Sequence, residues 1–435
     1  MRYQELVKLF CCTLLISAAS FSAKAQVCGC TDPLATNYNA NATINDGSCT
    51  YASTTISATS IGELDETLNG TSGMIYWNGG YWTYNDHTDT HLYQIDSTTA
   101  SIIGSLQIAP SGNYDTEEIS QDSLYLYFGD IGNNSGTRTN LHILRISKQG
   151  LIDNDFVIDT IFFSYADQTD FTSSPQATDF DCESFIVGED SIFVFTKQWV
   201  SEGTVCYGFP KEPGTYEATA RGTCNVGGLI TGAIYIPDKR IVVLCGYSST
   251  LQPFIYLLYD FQGEDFFSGN KRKLSFSMLV RDQVEAIATS DALHYYITNE
   301  YFVYQSIITR PSKLQVLDLS SYLEDYIESL NVIPADTTST DTTATDTTHI
   351  IPESIEENIQ NILTIAPNPV CTELHLQPSE YVEGAEYLIY NMKGQRVDQG
   401  VIRDGMVSTA VLSQGEYILV VSSGKLIYRG KFIKW

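Results

Sequence analysis

The chain has 435 residues and is strongly acidic, with 52 aspartates and glutamates against 24 lysines and arginines and a formal net charge of −28. This charge repels nucleic acid and anionic membrane surfaces, which argues against both as partners and favours cations. The 28 tyrosines and the many β-branched residues predict strands rather than helices.

The N-terminus has the pattern of a secretory signal peptide, which we place at 1–25. Arg2 and Lys8 precede a short apolar run, and residues 23–25 supply a small-x-small cleavage site. The run is too short to span a membrane, and no later stretch approaches the ~18 apolar residues that a span requires. We therefore expect an exported mature chain without a transmembrane segment.

The cysteines predict disulfides. Ten cysteines occur in the chain and two of them lie in the signal peptide, which leaves eight in an oxidising compartment. Their spacing favours two pairs, Cys30 with Cys49 and Cys206 with Cys224. Zinc is disfavoured because no Cys-x-x-Cys pair has a matching Cys or His pair beyond it.

The segment 26–51 is rich in Asp, Asn and Gly and has no apolar core. It resembles a short cysteine-bounded, Asx-rich repeat found near the ends of exported bacterial proteins. Its side chains offer oxygen ligands of the kind that calcium prefers, although their spacing does not match an EF-hand loop. Calcium binding and simple Asx turns both stay open. The side chains concerned are Asp32, Asn37, Asn39 and Asp46.

Residues 52–332 contain an internal repeat that predicts the fold. A polar residue, a small or polar residue and an apolar residue precede a turn, and a strand of aromatic and β-branched residues follows. The repeat begins at Ser72, Glu117, Glu183, Thr231 and Glu285, at intervals of 45, 66, 48 and 54 residues. This period suits four-stranded propeller blades.

We therefore predict an all-β chain with a five-bladed β-propeller. Six blades are the alternative, because the 66-residue interval is long. Segment 56–64 is able to close the ring against the last blade, around 314–319. A helical spacing of apolar residues is convincing only at 321–330.

A propeller gives these polar residues a common position. The first strand of every blade lines the central channel, so the five repeat starts form one ring around the axis. The second strands end in a second polar layer near one mouth. Its residues are Asp86, Asp130, Lys197, Tyr247 and Glu300.

Three glutamates in the axial ring repel one another unless a cation or bound protons compensate. We predict calcium or a similar hard cation in or above the channel. The candidate ligands are Glu117, Glu183, Glu285, Asp130 and Asp86. In the alternative, the polar side chains bond to neighbouring blades and trapped water, and the ring needs no ligand.

The phrases DTEEI, LYFGDIGNN, FDCESF, GLITGA and VEAI resemble a family of exported bacterial propellers. They are also similar, more weakly, to phytase-like and gluconolactonase-like propellers. That second resemblance implies carboxylates and calcium on the axis.

Residues 333–358 are rich in Thr and Asp and predict a flexible, extended linker, because such a composition cannot bury apolar surface. Asp-Thr-Thr triplets start at Asp336, Asp341 and Asp346. The triplets resemble the acceptor pattern of periplasmic O-glycosylation. An unmodified acidic spacer is the alternative.

Residues 359–435 alternate apolar strands with tight glycine turns, which predicts a small β-sandwich. The characteristic motif residues are Pro367, Asn368, Pro369, Gly394 and Gly415. Their order, with a basic C-terminus, resembles the type A C-terminal sorting domain of the type IX secretion system. The resemblance implies recognition by the outer-membrane translocon of a Gram-negative bacterium and a secreted or surface-attached protein.

Two classes of function follow. A recognition module binds a glycan or protein ligand through one mouth of the ring. Its candidates for an exposed aromatic patch are Trp77, Trp82 and Trp199. A calcium-dependent hydrolase of phosphate esters or lactones uses Glu117, Glu183 and Glu285 to hold the metal and polarise water. We prefer binding, because such an enzyme should show a denser cluster of ligands with a credible base, and only Lys197, Asp86 and Asp130 are at hand. Nucleophile chemistry is disfavoured separately, because the chain has no Gly-x-Ser-x-Gly elbow.

Overall fold

The computed structural model describes residues 27–86, 89–108, 115–278, 280–304, 308–331, 364–366, 373–377, 384–391, 395–403, 405–413, 415–423 and 426–434. Contacts divide the chain into two units, Met1–Ala335 and Asp336–Trp435. The signal peptide and the linker lie outside the described residues, so these two segments and the predicted domain boundaries stay predictions. In the part of the chain that is described, no helix is long and apolar enough to cross a membrane.

The N-terminal module is held by a disulfide and one short parallel pairing. The strands β1 (Cys28–Gly29) and β2 (Ile44–Asn45) pair in parallel. The structure joins Cys30 to Cys49, which confirms this predicted pair.

The Asx-rich side chains of this module cap turns of its backbone. Asp32, Asn39 and Asp46 each accept a hydrogen bond from the backbone N–H two residues further on, at 2.8–3.0 Å. Asn37 Oδ1 accepts one from the Thr50 N–H at 2.8 Å. The Asx-turn interpretation is therefore confirmed, and calcium binding at these residues stays a prediction.

Five blades of four strands each follow in the first unit. The strands β3 (Thr54–Ile56) and β4 (Thr59–Glu63) and a 3₁₀ turn at Glu66–Leu68 precede them. The first blade contains β5 (Thr71–Trp77), β6 (Gly80–Asn85), β7 (His91–Ile95) and β8 (Ile102–Gln107). The second contains β9 (Thr116–Gln121), β10 (Tyr125–Asp130), β11 (His142–Ser147) and β12 (Ile158–Tyr165), with α1 (Lys148–Asp153) before its last strand. This helix and the stretch 166–180, which has no strand, account for the long repeat interval.

The remaining blades complete the ring. The third contains β13 (Asp181–Val187), β14 (Ser191–Lys197), β15 (Thr204–Pro210) and β16 (Gly214–Cys224). The fourth contains β17 (Leu229–Ile236), β18 (Ile241–Tyr247), β19 (Pro253–Tyr259) and β20 (Asn270–Phe276), with a 3₁₀ turn at Pro237–Lys239. In the fifth, β21 (Val284–Thr289) and β22 (His294–Asn299) are followed by a hairpin of β23 (Phe302–Tyr304) and β24 (Ile308–Arg310), then by β25 (Lys313–Asp318). The helix α2 (Ser320–Asn331) confirms the prediction at 321–330.

The ring is closed by the N-terminal strand β4, which pairs antiparallel with β25 as the fourth strand of the fifth blade. Lys313 lies opposite Glu63, and Val316 lies opposite Thr59. The first strand of each blade contacts that of the next blade, and β21 contacts β5. The five-bladed propeller and its closing segment are confirmed, and the six-bladed alternative is wrong.

The apolar cores lie between adjacent blades. Ile75, Trp77 and Trp82 of the first blade, for example, pack with Leu126 and Phe128 of the second. Trp77 and Trp82 are therefore buried, and their assignment to an exposed aromatic patch is wrong, because both belong to this inter-blade core.

Every first strand carries a β-bulge at the repeated position. In each pairing with the second strand, one residue is skipped: Gly73, Glu117, Glu183, Thr231 and Glu285. A bulged residue is left unpaired and its side chain is re-aimed. Four of the five residues are the predicted ring positions, whereas in the first blade the bulge falls on Gly73, one residue after Ser72.

Cys206 and Cys224 do not form the predicted disulfide, because both are free thiols in the structure. They lie on adjacent strands, but Cys206 is opposite Gly222 and Cys224 is opposite Thr204. Such diagonal neighbours are about 7–8 Å apart, which is farther than a disulfide spans. The spacing of the two cysteines correctly predicted that their strands pair with each other, but it did not predict the register of that pairing.

The second unit is a two-sheet sandwich. One sheet contains β26 (Thr364–Ala366), β27 (Glu373–Gln377) and β30 (Met406–Ser408), and the other contains β28 (Glu386–Asn391), β29 (Arg396–Val401), β31 (Gly415–Ser423) and β32 (Leu426–Lys434). Leu374 and Val407 of the first sheet share a core with Ile389, Leu419 and Phe432 of the second. The predicted sandwich is thus confirmed. Gly415 begins β31, whereas the other four motif residues lie outside the described residues.

A test of the axial packing is the substitution Gly73→Ala. Gly73 has φ +55°, and an added Cβ would lie 2.6 Å from the Ile119 nitrogen and 2.8 Å from Glu118 Oε1. We expect a loss of about 2–4 kcal/mol from the left-handed backbone and overpacking together. The control Gly79→Ala has φ +75° and no described atom within 4 Å of the added Cβ, so it should lose only about 1–2 kcal/mol. Urea unfolding measures both, and equal losses would contradict the crowding at Gly73.

A second test concerns the thiols. Peptide mapping without reduction, after alkylation of the denatured chain, should recover Cys30 linked to Cys49. Cys206 and Cys224 should both be alkylated, because their register keeps the sulfurs apart. A linked Cys206–Cys224 peptide in freshly purified protein is the outcome that would contradict this register.

Candidate functional site

The two predicted polar layers meet at one mouth of the propeller. In each blade the first strand begins beside the end of the second strand, because the two form an antiparallel hairpin. We call this end the acidic mouth. It is defined by Asp86, Glu117, Glu183, Lys197, Glu285 and Glu300.

A buried ion pair lies at the acidic mouth. Lys197 Nζ donates to Glu183 Oε2 at 2.5 Å, and both residues are at most 5 % exposed. The Lys197 ammonium also lies 4.8 Å from the ring centroid of Trp199 and 5.4 Å from that of Tyr247. Burial opposes the charge on Lys197, but its titratable neighbours, Glu183 first among them, hold its pKa well above the usual value. Lys197 is therefore a fixed positive charge.

The carboxyls around Lys197 outnumber it. Burial, followed by repulsion from Glu183, raises the pKa of Glu117 well above its usual value. Burial, followed by repulsion from Glu300, has the same effect on Glu285. Both carboxyls favour the protonated form unless a further positive charge arrives.

Two more carboxyls titrate near neutrality. Burial raises the pKa of Glu183 to about 8, although Lys197 opposes the shift, so the ion pair with Lys197 is complete only above that pH. Burial and then the neighbouring Asp86 raise the pKa of Glu300 to about 7. The acidic mouth therefore exchanges protons in the range in which a cation competes with them.

Glu118 has a role that sequence analysis missed. Its Oε2 accepts a hydrogen bond from the Ala233 N–H at 2.7 Å, and its Oε1 accepts one from the Ile119 N–H at 2.9 Å. Glu118 thus links the second blade to the fourth, which is not its neighbour in the ring. Burial raises its pKa well above the usual value, although the two N–H groups oppose this. The signal was the adjacent pair Glu117-Glu118, two acidic residues in succession at the start of a first strand.

Two predicted ring residues join neighbouring blades. Ser72 Oγ donates to the Glu117 carbonyl oxygen at 2.6 Å, and Thr231 Oγ1 donates to the Val284 carbonyl oxygen at 2.5 Å. These contacts match the alternative in which polar residues hold the ring together.

Asp130 is engaged in an ion pair. Arg138 Nη2 lies 2.5 Å from Asp130 Oδ1, and Arg138 Nη1 donates to the Gly132 carbonyl oxygen at 2.8 Å. In the described residues, no group of three or more His, Cys, Asp or Glu side chains has a metal-holding arrangement. Calcium at the acidic mouth stays a prediction.

An acidic cleft of about 500 Å³ opens beside the axis between the fifth and first blades. It is lined by Glu66, Thr67, Asn69, Gly70, Asn85, Asp86, Asp89, Glu300 and Tyr301. Asn85 is 6 % exposed, and its Nδ2 donates to the Thr67 carbonyl oxygen at 2.5 Å and to Asp89 Oδ2 at 3.2 Å. These two acceptors fix the amide orientation. Asn85 Oδ1, in contrast, has no hydrogen-bond partner within the described ranges.

An aromatic cleft of about 270 Å³ lies at the same mouth, between the third and fourth blades. It is lined by Gln176, Trp199, Glu202, Leu229, Tyr247, Ser248, Ser249, Leu251 and Gln283. Trp199 is thus the one tryptophan of the three candidates that reaches this mouth.

The C-terminal unit is identified by comparison with known families. Residues 364–434 match the family described as the secretion system C-terminal sorting domain. The chain is therefore a cargo of the type IX secretion system, secreted or attached to the cell surface. No curated protein sequence matches the chain.

Two of the similar solved structures come from bacterial proteins. PorZ, a surface component of the type IX secretion system of Porphyromonas gingivalis, has 13 % identity and a TM-score of 0.30, with 84 % of this chain and 45 % of that chain covered. The chain thus spans less than half the length of PorZ. The PQQ-bound aldose sugar dehydrogenase of Streptomyces coelicolor has 9 % identity and a TM-score of 0.36, with 60 % and 98 % covered. At these low scores, the five-bladed assignment depends on the strand pairings and not on these likenesses.

The raised carboxyl pKa values predict a pH dependence of stability. A carboxyl whose pKa is raised on folding contributes stability below its unfolded pKa and loses that contribution as the pH rises through its folded pKa. The free energy of unfolding should therefore fall between about pH 5 and about pH 8. Glu300→Gln, which cannot ionise, should reduce this fall by up to about 3 kcal/mol. Urea unfolding across this range measures it, with the exposed Glu217→Gln as the control, and equal slopes in the two variants would contradict the prediction.

Proposed function

We propose that the chain is an extracellular recognition module that binds a positively charged group of a protein ligand at the acidic mouth. The observation that carries the proposal is the excess of buried carboxyls over the single positive charge of Lys197. A protonated amine placed there removes their mutual repulsion.

The acidic cleft offers a defined position for this amine. Asn85 Oδ1 is a buried acceptor without a partner in the described structure, and such an atom gains most from a new donor. Glu300 and Asp89 line the same cleft. A lysine ammonium can donate three hydrogen bonds, and Asn85 Oδ1 and the Glu300 carboxyl are acceptors for it. The Asp89 carboxylate already accepts from Asn85, His91 and Tyr93, so it contributes its negative charge.

The rim of the cleft favours a basic protein segment over a single amine. Glu66 is exposed and lies at the edge of the acidic cleft, beyond the buried acceptors. A second positive charge on the ligand is therefore attracted outside the cleft. The overall charge of −28 adds long-range attraction for such a segment.

A calcium-dependent hydrolase is the second candidate, favoured by the same surplus of carboxyls. Calcium bound by Glu117, Glu183 and Glu285 would displace their protons and polarise a water molecule. The pairing of Asp130 with Arg138 supports this candidate less, because it occupies one of the proposed ligands.

Calorimetric titration of the full chain with pentalysine and, separately, with calcium tests the proposal. We expect pentalysine to bind more tightly at pH 8 than at pH 6, because ionised Glu300 is the binding form. Glu300→Gln should weaken its binding about tenfold, which corresponds to about 1.4 kcal/mol. Glu217→Gln removes the same charge from an exposed outer strand and should leave the affinity unchanged.

The outcomes separate the two candidates. Equal weakening by both substitutions would show that only the overall charge matters and would overturn the recognition site. Stoichiometric calcium binding that pentalysine does not compete with, together with hydrolysis of a phosphate ester or lactone, would favour the hydrolase.

A further inference from the structure

We propose that the aromatic cleft is a separate binding site for one neutral sugar ring. This site goes beyond the recognition of a positive charge and does not depend on it. It is carried by three features: a fixed aromatic wall, a rim of uncharged polar groups and three left-handed residues on separate segments.

The aromatic wall is held in place before any ligand arrives. Trp199 Nε1 donates to Asp181 Oδ2 at 2.7 Å, and the Trp199 backbone N–H donates to the Thr178 carbonyl oxygen at 3.1 Å. Tyr247 is 3 % exposed, and its hydroxyl accepts a hydrogen bond from Gln283 Nε2 at 3.2 Å. A wall fixed in this way loses little conformational entropy on binding.

The rim favours a ligand that is both apolar and hydroxylated. Amides and hydroxyls surround the wall, and each is both a donor and an acceptor. They come from Gln176, Ser248, Ser249 and Gln283. A sugar ring presents an apolar C–H face to an aromatic wall and hydroxyls to the amide and hydroxyl groups of the rim. Glu202 is the one residue with a charged side chain among those that line the aromatic cleft, whereas several acidic residues line the acidic cleft.

Three residues that line the cleft have a left-handed backbone, although none is glycine. They are Gln176 with φ 52°, Glu202 with φ 48° and Leu251 with φ 61°. Residues other than glycine adopt this conformation uncommonly, and Leu251 has no short polar side chain that would favour it. Strained backbone of this kind concentrates at ligand-binding sites.

Hydrogen bonds from other segments maintain these conformations. The Gly228 N–H donates to the Glu202 carbonyl oxygen at 2.9 Å, and the Asp282 N–H donates to the Leu251 carbonyl oxygen at 3.2 Å. Because separate segments converge and fix one another, the cleft is preorganised. Its volume of about 270 Å³ lies below the ≈ 300–1,000 Å³ of pockets for drug-sized ligands, so a single ring is the appropriate occupant.

Saturation-transfer NMR on the full chain tests the site. The probes are the methyl glycosides of glucose, galactose, mannose and N-acetylglucosamine at millimolar concentration. We expect transfer to at least one of them, with the ring C–H protons saturated most strongly because they contact Trp199. Ser249→Trp places an indole into the cleft from an exposed position, so it should reduce the transfer at least fivefold without disturbing the core.

Matched controls make the result decisive. Ser123→Trp adds the same indole at an exposed turn between β9 and β10, at the opposite end of that hairpin, and should leave the transfer unchanged. Trp199→Phe keeps an aromatic ring but removes the Nε1 donor to Asp181, and should weaken the transfer at least twofold.

Absence of transfer from all four glycosides, or equal transfer in Ser249→Trp and Ser123→Trp, would overturn the site. Pentalysine binding, measured on Ser249→Trp, should be unchanged, so failure here is distinguishable from failure at the acidic cleft.

Discussion

The antiparallel pairing of β4 with β25 is the constraint on which the rest of the first unit depends. It places a strand from the N-terminal end of the propeller in the last blade, so that the fifth and first blades can meet. Met74 and Tyr81 of the first blade then pack with Ala286 and Leu314 of the fifth. Only a closed ring removes the axial carboxyls from water, and the raised pKa values of the acidic mouth are a consequence of that burial.

Closure also explains the polar axis. Five strands converge there, and the bulge in each strand turns one side chain out of the ladder. Where that residue is glutamate, charge is concentrated at the acidic mouth. Where the bulged residue is Gly73, the Glu118 side chain occupies the space beside it and accepts a hydrogen bond from the Ala233 N–H. The axis thus has carboxyls at a mouth that a ligand can reach, and it has the Glu118 carboxyl, which joins opposite walls of the channel.

The sequence predicted what depends on spacing and missed what depends on register. Blade number and the closing segment 56–64 follow from repeat length and strand patterning, which are local properties. The register between two strands is set by packing over the whole blade. For this reason Cys206 and Cys224 lie on paired strands and yet cannot bond. The partner of Glu118 could not be predicted either, because the two residues are 115 positions apart and belong to blades that are not adjacent.

The outer strands of the blades have a consequence for a protein that works outside the cell. The strand β12 pairs in parallel with β16, and β20 pairs in parallel with β3, so three blade edges are covered within the described structure. Open edges offer unpaired backbone groups to other chains and promote aggregation. Covering these edges limits edge-to-edge association of the exported chain. The same pairings fuse the second and third blades into one eight-stranded sheet, which should resist proteolytic nicking along that flank.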